Sequence, residues 1–336
     1  MIPTHVQNRR AAMPDDGEFA ALTEPFRREL LAHCYRMLGS VDDAEDLVQE
    51  TYLRAWRSYQ AFEGRSSLRS WLYRIATNVC LTALERRDRR PLPSGIGGPS
   101  DDAGLSIGPA PDGVIWLQPA PDSWASSGAP DPAAVTSLRG SLRLALIVAL
   151  QHLPPRQRAV LILRDVLDWR AAEVADLLDT TTAAVKSTLQ RARAQLNAVA
   201  PAEDGVAEPR EPDARVLLEG YMKAFENADV DALTRLLLED ATFEMPPFSE
   251  WLAGRKTIGQ FASARIFGAP GTVRMVPTTA NDQPAATAYR RADDGVYHAH
   301  AIHVLTTTST GIARVVAFLD PGLFTTFGLP ATLTPA

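Results

Sequence analysis

The chain has only two cysteines in 336 residues, Cys34 and Cys80. They stand far apart, with no His or Cys at ligand spacing. That excludes a disulfide framework, gives no metal site, and leaves two buried reduced thiols as the expectation. No apolar run approaches the roughly 20 residues needed to span a bilayer, so no membrane partner is expected. Met1 to Gly17 also lacks the continuous apolar core of a secretion signal, which points to a cytoplasmic protein. Positive charge is missing from one long stretch: Pro91 to Leu138 holds nine prolines and five aspartates but neither lysine nor arginine. Such a composition buries too little apolar surface to offset the entropy of ordering. It reads as a linker, with Ile115, Trp116, Leu117 and Trp124 as docking points. A second polar stretch with prolines, Pro201 to Asp213, marks another boundary.

What is present suffices for several packed bodies, with 46% hydrophobic residues. The net charge of -6 is unevenly spread. Arg86, Arg87, Arg89 and Arg90 form one basic cluster, and Arg191 with Arg193 form a second. A local basic face is what counterion release on nucleic acid requires, whatever the overall charge. The boundaries give units at 18–91, 138–200 and 213–329, with the acidic, proline-rich linker at 92–137.

The first unit reads as wholly helical. Phe26 to Leu38 carries apolar positions at helical spacing and closes on Gly39. The next helix, DDAEDLVQETYLRAW, buries Ala44, Leu47, Val48 and Ala55 and exposes Asp43, Asp46, Gln49, Glu50 and Arg54. After a loop at Phe62 to Ser67, Leu68, Trp71, Leu72, Ile75, Ala76, Val79 and Cys80 outline a third helix, which the arginines end. In the second unit Val174, Leu177 and Leu178 mark a short helix. DTTT at 179 to 182 caps its successor, and Val185, Leu189, Ala192 and Leu196 lay an apolar stripe along it. The pair reads as a helix-turn-helix. Its exposed Thr181, Thr182, Lys186, Ser187, Gln190, Arg191 and Arg193 have the donors that suit phosphates and base edges in a major groove.

Two helical units in this order, joined by such a linker, resemble RNA polymerase sigma factors of the extracytoplasmic-function (ECF) group within the sigma-70 family. DDAEDLVQETYLRAW is similar to that family's polymerase-clamp-binding helix. FEGRSSLRSWLYRIATNVC resembles its promoter-melting and minus-ten segment, and the stretch from Leu153 to Leu196 resembles the minus-thirty-five-reading domain. WLQPAPD at 116 to 122 resembles a tryptophan-proline motif of the subgroup that carries a C-terminal SnoaL-like domain.

The resemblance implies core RNA polymerase, through its beta and beta-prime subunits, and promoter DNA as partners. It leaves an anti-sigma factor open and calls for no cofactor. It assigns polymerase binding to Asp46, Gln49 and Glu50. Minus-ten contacts fall on Arg65, Ser66, Ser67, Trp71, Arg74, Asn78, Arg86 and Arg87, where a flipped base is held beside a mobile glycine and the arginines grip phosphate. Minus-thirty-five reading falls on the seven helix-turn-helix residues above. Thr82 stands where many relatives carry an aspartate, so the fine contacts of that helix are left open. The acidic linker, by the same resemblance, threads towards the polymerase active centre.

The third unit reads as two helices, around Val216 to Asn227 and Val230 to Leu238, then a strand at ATFEM and a helix from Thr257 to Phe267. Further strands fall at Thr272–Pro277, Ala285–Arg291, Val296–Thr307 and Ile312–Leu319. The expected class is α+β with an antiparallel sheet, a SnoaL-like (NTF2-like) cone beside the two all-α units. His298 and His300 share one strand face and His303 takes the other, with Glu244, Asp282 and Asp320 as acid partners for a general base. The preferred reading is a regulatory, non-enzymatic domain that docks through the turn Asp320, Pro321 and Gly322. A helix-turn-helix regulator acting without polymerase and a cyclase-like or isomerase-like enzyme remain the alternatives.

Overall fold

The computed structural model describes residues 16–62, 64, 66–85, 89–100, 108, 111–124, 140–199 and 211–334. In the first unit these form α1 (Asp16–Thr23), α2 (Arg27–Leu38), α3 (Val41–Ser58) and α4 (Leu68–Leu84). Gly39 stops α2 because its φ of 71° turns its N–H back onto the Tyr35 carbonyl at 2.7 Å. Ser40 then caps α3, its Oγ accepting from the Asp43 N–H at 3.2 Å. Cys34 and Cys80, distant in sequence, meet between α2 and α4. Hydrogen bonding to Cys34 and burial push the Cys80 thiol up, so it stays protonated, and neither cysteine is in a disulfide.

The second unit holds α5 (Leu144–Gln151), α6 (Pro155–Leu161), which runs on in a wide turn to Val166, α7 (Ala171–Leu177) and α8 (Thr182–Val199). Between α7 and α8, Asp179 takes a positive φ of 50° and the Thr181 hydroxyl accepts from the Ala184 N–H at 3.1 Å. The stripe Val185, Leu189 and Ala192 is buried against Val174, Leu177 and Leu178.

The third unit begins with α9 (Glu211–Glu226) and α10 (Val230–Leu236), then β1 (Leu237–Glu244), β2 (Trp251–Ala253) and α11 (Arg255–Phe261). There follow β3 (Val273–Ala280), β4 (Gln283–Arg291), β5 (Tyr297–Thr308), β6 (Gly311–Phe318), α12 (Leu323–Thr326) and β7 (Thr332–Leu333). The sheet order is β2-β1-β6-β5-β4-β3, with β7 also on β5. It is mixed rather than antiparallel, because β1 pairs β6 in parallel. No hairpin joins those two strands, so nothing forces an antiparallel match.

The two faces of this sheet serve different cores. Phe243, Ala286, Ala288, Ala301, Leu305 and Val315 point into the cone, among Tyr221, Phe225 and Phe261. Ala285, Tyr289, Ile302, Val304, Val316 and Phe318 face outward and join the core that runs through both helical units. Period-two alternation thus glues the cone to the helices.

The described part of the linker is built into this junction, and of its expected docking points Leu117 and Trp124 are buried whereas Ile115 is exposed. Leu92, Leu117, Ala120 and Trp124 are buried in the shared core. Gln118 replaces water at the start of α3: its Oε1 accepts from the Ser40 hydroxyl at 2.6 Å and the Val41 N–H at 3.0 Å. The Tyr35 hydroxyl donates to the Gln118 carbonyl at 2.8 Å. Docking of the cone runs through the β3–β4 turn and not through Asp320 to Gly322. Asn281, fully buried at φ 55°, accepts from the Ala120 N–H at 2.9 Å and donates to the Tyr35 hydroxyl at 2.9 Å and the Leu142 carbonyl at 2.6 Å. Gln283 accepts from the Leu144 N–H at 3.1 Å, and the Asp282 N–H donates to Asp122 at 2.7 Å.

Replacing Asn281 by Ala leaves these buried partners unmet. Asn281→Ala is expected to lower stability by about 1–3 kcal/mol, read by urea unfolding; an unchanged midpoint would show that the junction carries no such weight. Two histidines give a pH dependence. His33, 2.9 Å from the Thr77 hydroxyl, has its pKa lowered to about 3 by burial and then by Arg36 and Arg69. His303 is lowered to about 3 by burial and then by His300. Unfolded, both titrate near the ordinary value of about 6.5. Below that pH the unfolded chain takes up protons that the folded chain refuses, so their contribution is complete above it and falls towards pH 3. From about pH 6.5 to 5 the loss approaches about 1.4 kcal/mol per pH unit for each histidine. A urea midpoint that stays flat over that window would contradict neutral burial.

Candidate polymerase and promoter interface

On α3 the apolar residues Ala44, Val48 and Ala55 turn inward, which leaves Asp46 and Gln49 exposed on the opposite side. Glu50 is half-buried and takes the Arg54 guanidinium at 2.7 Å. These three acceptors lie within one helical turn of each other and form a short acidic strip.

Ser67 caps α4, its Oγ accepting from the Ser70 N–H at 3.1 Å, with Ser66 exposed beside it. Trp71 is half-buried, its ring centroid 4.8 Å from that of Phe62 and 6.2 Å from that of Tyr59. It is both packed and partly accessible. Asn78 is exposed one face further along, and the Thr82 hydroxyl donates back to the Asn78 carbonyl at 3.0 Å. Arg74 is engaged by the second unit: it pairs with Asp176 of α7 and donates to the Asp176 carbonyl at 3.1 Å. Tyr73 beside it meets Trp169 at 5.3 Å. Arg65, Arg86 and Arg87 lie outside the described residues. Of the remaining cluster, Arg90 is not a phosphate grip, since it pairs with Asp43 in a largely buried site and donates to the Trp116 carbonyl. Arg89 reaches His152 at 2.8 Å and the Gly95 carbonyl at 2.9 Å.

On the helix-turn-helix, Thr181, Thr182, Lys186, Ser187, Gln190, Arg191 and Arg193 are all exposed. Arg191 donates to the Thr188 hydroxyl at 3.2 Å. Arg193 is clamped by both oxygens of Asp165, at 2.8 and 2.7 Å, and that pairing raises its pKa. Lys186 and Arg191 therefore present their charge outward more freely than Arg193 does.

Two arginines that sequence reasoning passed over cross from one unit to the other. Arg36 of α2 donates to the Ser141 hydroxyl at 2.8 and 3.1 Å. Arg158 of α6 donates to the Met37 carbonyl, and at 2.8 Å to Gln151 Oε1. Burial lowers the pKa of each to about 10, so both remain cations inside the protein. Arg36 stood in no motif and Arg158 drew no role within the stretch 153–196, so only the tertiary contact reveals what they do. Asn281 and Asp282 did carry a signal, a two-residue turn between β-rich segments, although not its destination.

In the cone, the histidines differ from the alternation expected. A register shift between Ala288/Ala301 and Tyr289/Ala299 leaves His300 as the extra residue of a bulge. The bulge changes parity, so His300 and His303 both line the cone cavity. His298 instead sits at the exposed end of β5, 3.0 Å from Asp294. None of the three expected acids lines that cavity. Glu244 points out of the sheet to Arg314 and to the Ser94 N–H, Asp282 sits in the docking turn, and Asp320 lines a separate cleft together with residues 114–118. The general-base arrangement is not assembled.

Three family matches follow the units in order. Residues 22–90 match Sigma-70 region 2, residues 143–196 match Sigma-70 region 4, and residues 214–309 match the Nuclear transport factor 2 (NTF2) domain. The chain is 52% identical over 319 residues to the ECF RNA polymerase sigma factor SigG of Mycobacterium tuberculosis, covering 94% of this chain and 85% of that one. SigW of Bacillus subtilis is 27% identical over 186 residues, which take in 54% of this chain and 88% of SigW. In fold, the chain is similar to the crystal structure of the Mycobacterium tuberculosis extracytoplasmic function sigma factor SigJ, with a TM-score of 0.57 at 23% identity over 93% of this chain and 99% of that one. The chain belongs to the ECF RNA polymerase sigma factors and carries an NTF2-like domain behind its two sigma regions.

Proposed function

We propose that this sigma factor directs core RNA polymerase to promoters, and that the conformation described above is its restrained state. Asp46, Gln49 and Glu50 on α3 meet a basic surface of the polymerase clamp, with the beta and beta-prime subunits as partners. Arg65, Ser66, Ser67, Trp71, Arg74 and Asn78, with Arg86 and Arg87, take the minus-ten element. Thr181, Thr182, Lys186, Ser187, Gln190, Arg191 and Arg193 take the minus-thirty-five element. The units at 18–91 and 138–200 act as the two promoter grips in the cytoplasm, and 213–329 is a regulatory, non-catalytic domain. An attached control domain makes a separate anti-sigma partner less necessary.

The observation behind this reading is that Arg74 of the first unit is turned onto Asp176 of the second. Promoter elements named for positions ten and thirty-five lie about 25 base pairs apart, or ~85 Å at ~3.4 Å per base pair. A helix of 18 residues such as α8 is only ~27 Å long at ~1.5 Å per residue. Two grips that touch through α4 and α7 cannot reach both elements, and Arg74 cannot hold Asp176 and DNA at once. Separation must break the junction at Asn281, Gln118 and Tyr35, which ties the cone and the linker to both grips.

Reconstitution with core polymerase tests the first part: the full chain should yield promoter-specific transcripts, and none from any promoter of a genomic library would end the reading. Asn281→Ala should raise transcript yield at limiting polymerase about fivefold or more, since 1 kcal/mol of lost restraint shifts a population by that factor. A yield that does not rise, with the fold intact, would remove the restraint. Lys186→Ala and Arg191→Ala should each weaken promoter binding by the holoenzyme and lower its log–log salt slope by about 0.9. An unaltered slope would show that neither side chain meets phosphate.

A further inference from the structure

We propose that the cavity of the NTF2-like domain is a binding site for a small organic anion with an apolar body, of the class of a medium-chain carboxylate. The cavity measures about 390 Å³, within the range of about 300–1,000 Å³ usual for small-molecule sites. Phe243, Met245, Phe248, Phe261 and Ile266 supply an apolar wall that accepts a hydrocarbon chain. Two guanidinium groups from separate elements converge on it, Arg265 from the turn after α11 and Arg290 from β4. No aspartate or glutamate is among the described residues that line it.

The histidines complete this chemistry. His300 is half-buried and its pKa is lowered by burial and then by Arg290, while buried His303 is lowered further, so both rings are neutral at pH 7. His303 Nδ1 lies 2.8 Å from the Tyr221 hydroxyl. With the phenol donating to Nδ1, Nε2 carries the ring proton and is the donor left for a ligand head group. A neutral donor beside the Arg290 guanidinium favours an anionic head over a neutral or cationic one. The β5 bulge is the device that makes the site, because an unbroken strand would put His300 and His303 on opposite faces. With no carboxylate to activate an imidazole, the arrangement binds and does not catalyse.

The site also has a position from which binding can be felt. Pro247 and Leu319 line both this cavity and a neighbouring one that residues 114–118 also line, so an occupant touches a wall shared with the cleft beside the linker.

Binding is measured directly on the full chain, independently of any transcription assay, by equilibrium dialysis against dodecanoate, dodecanol and dodecylammonium. Dodecanoate should bind saturably at one site and about tenfold or more tighter than either of the others, or about 1.4 kcal/mol. Arg290→Glu, at an exposed position that does not threaten folding, should cost about tenfold or more. Ala288→Phe, which fills the cavity, should abolish binding while the circular dichroism spectrum is unchanged; if that variant misfolds, Arg290→Glu alone decides. Absence of saturable binding, equal affinity for the three probes, or dodecanoate binding that Arg290→Glu leaves intact would each overturn the proposal.

Discussion

The Asn281 amide lies where the cone, the linker and the two helical units meet, and all of its hydrogen bonds run to other parts of the chain. A buried amide with every partner present contributes modestly to stability, whereas one with partners removed carries a full desolvation penalty. The junction is therefore close to all-or-none. Tyr35 extends it to Gln118, and Gln118 extends it to the first amides of α3. The local Ser40 cap of the helix that carries Asp46 and Gln49 is extended by a residue of the linker, since Gln118 accepts from the Ser40 hydroxyl and the Val41 N–H.

The remaining contacts between the two sigma regions point to an interface built to be undone. Arg36 reaches the Ser141 hydroxyl of the opposite unit, and Arg158 is buried on the neutral Met37 carbonyl. A guanidinium buried on a neutral acceptor, as at Arg158, recovers solvation when the site opens. Arg74 with Asp176 is a pair at partly exposed positions, worth little in water and easily exchanged for phosphate. Apolar packing such as Tyr73 on Trp169 supplies the opposing attraction. The sheet of the cone adds to the same balance, since its outward face packs on this core while its inward face lines the cavity.

Much of this was legible in the residue order. Gly39, Ser40 and Thr181 mark helix ends by local rules, and the spacing of Val185, Leu189 and Ala192 by itself defines the buried face of their helix. The exposed positions proposed for polymerase and promoter follow from the same periodicity. Other features were not legible because they depend on partners far along the chain. Arg90 looks like one arginine of a basic cluster until Asp43 and the Trp116 carbonyl enclose it. The bulge at His300 is invisible to a period-two reading, and it alone brings His300 to the same cavity as His303. Acidic, proline-rich composition marked a linker with Leu117 and Trp124 as docking points, but not what they dock on. Other units offer the groove that makes them core together with Ala120.

What the sequence alone determined is the set of parts: a sigma region 2, a helix-turn-helix, an α+β cone and the segment between them. Short-range periodicity and capping chemistry are properties of neighbouring residues, and they survive in any arrangement of the units. The tertiary structure alone decided that these parts close on one another, with Asn281 at the junction, Arg74 turned to Asp176 and the linker threaded through the core. Those outcomes rest on hydrogen bonds and buried area between residues more than a hundred positions apart, where no local pattern records which donor will meet which acceptor.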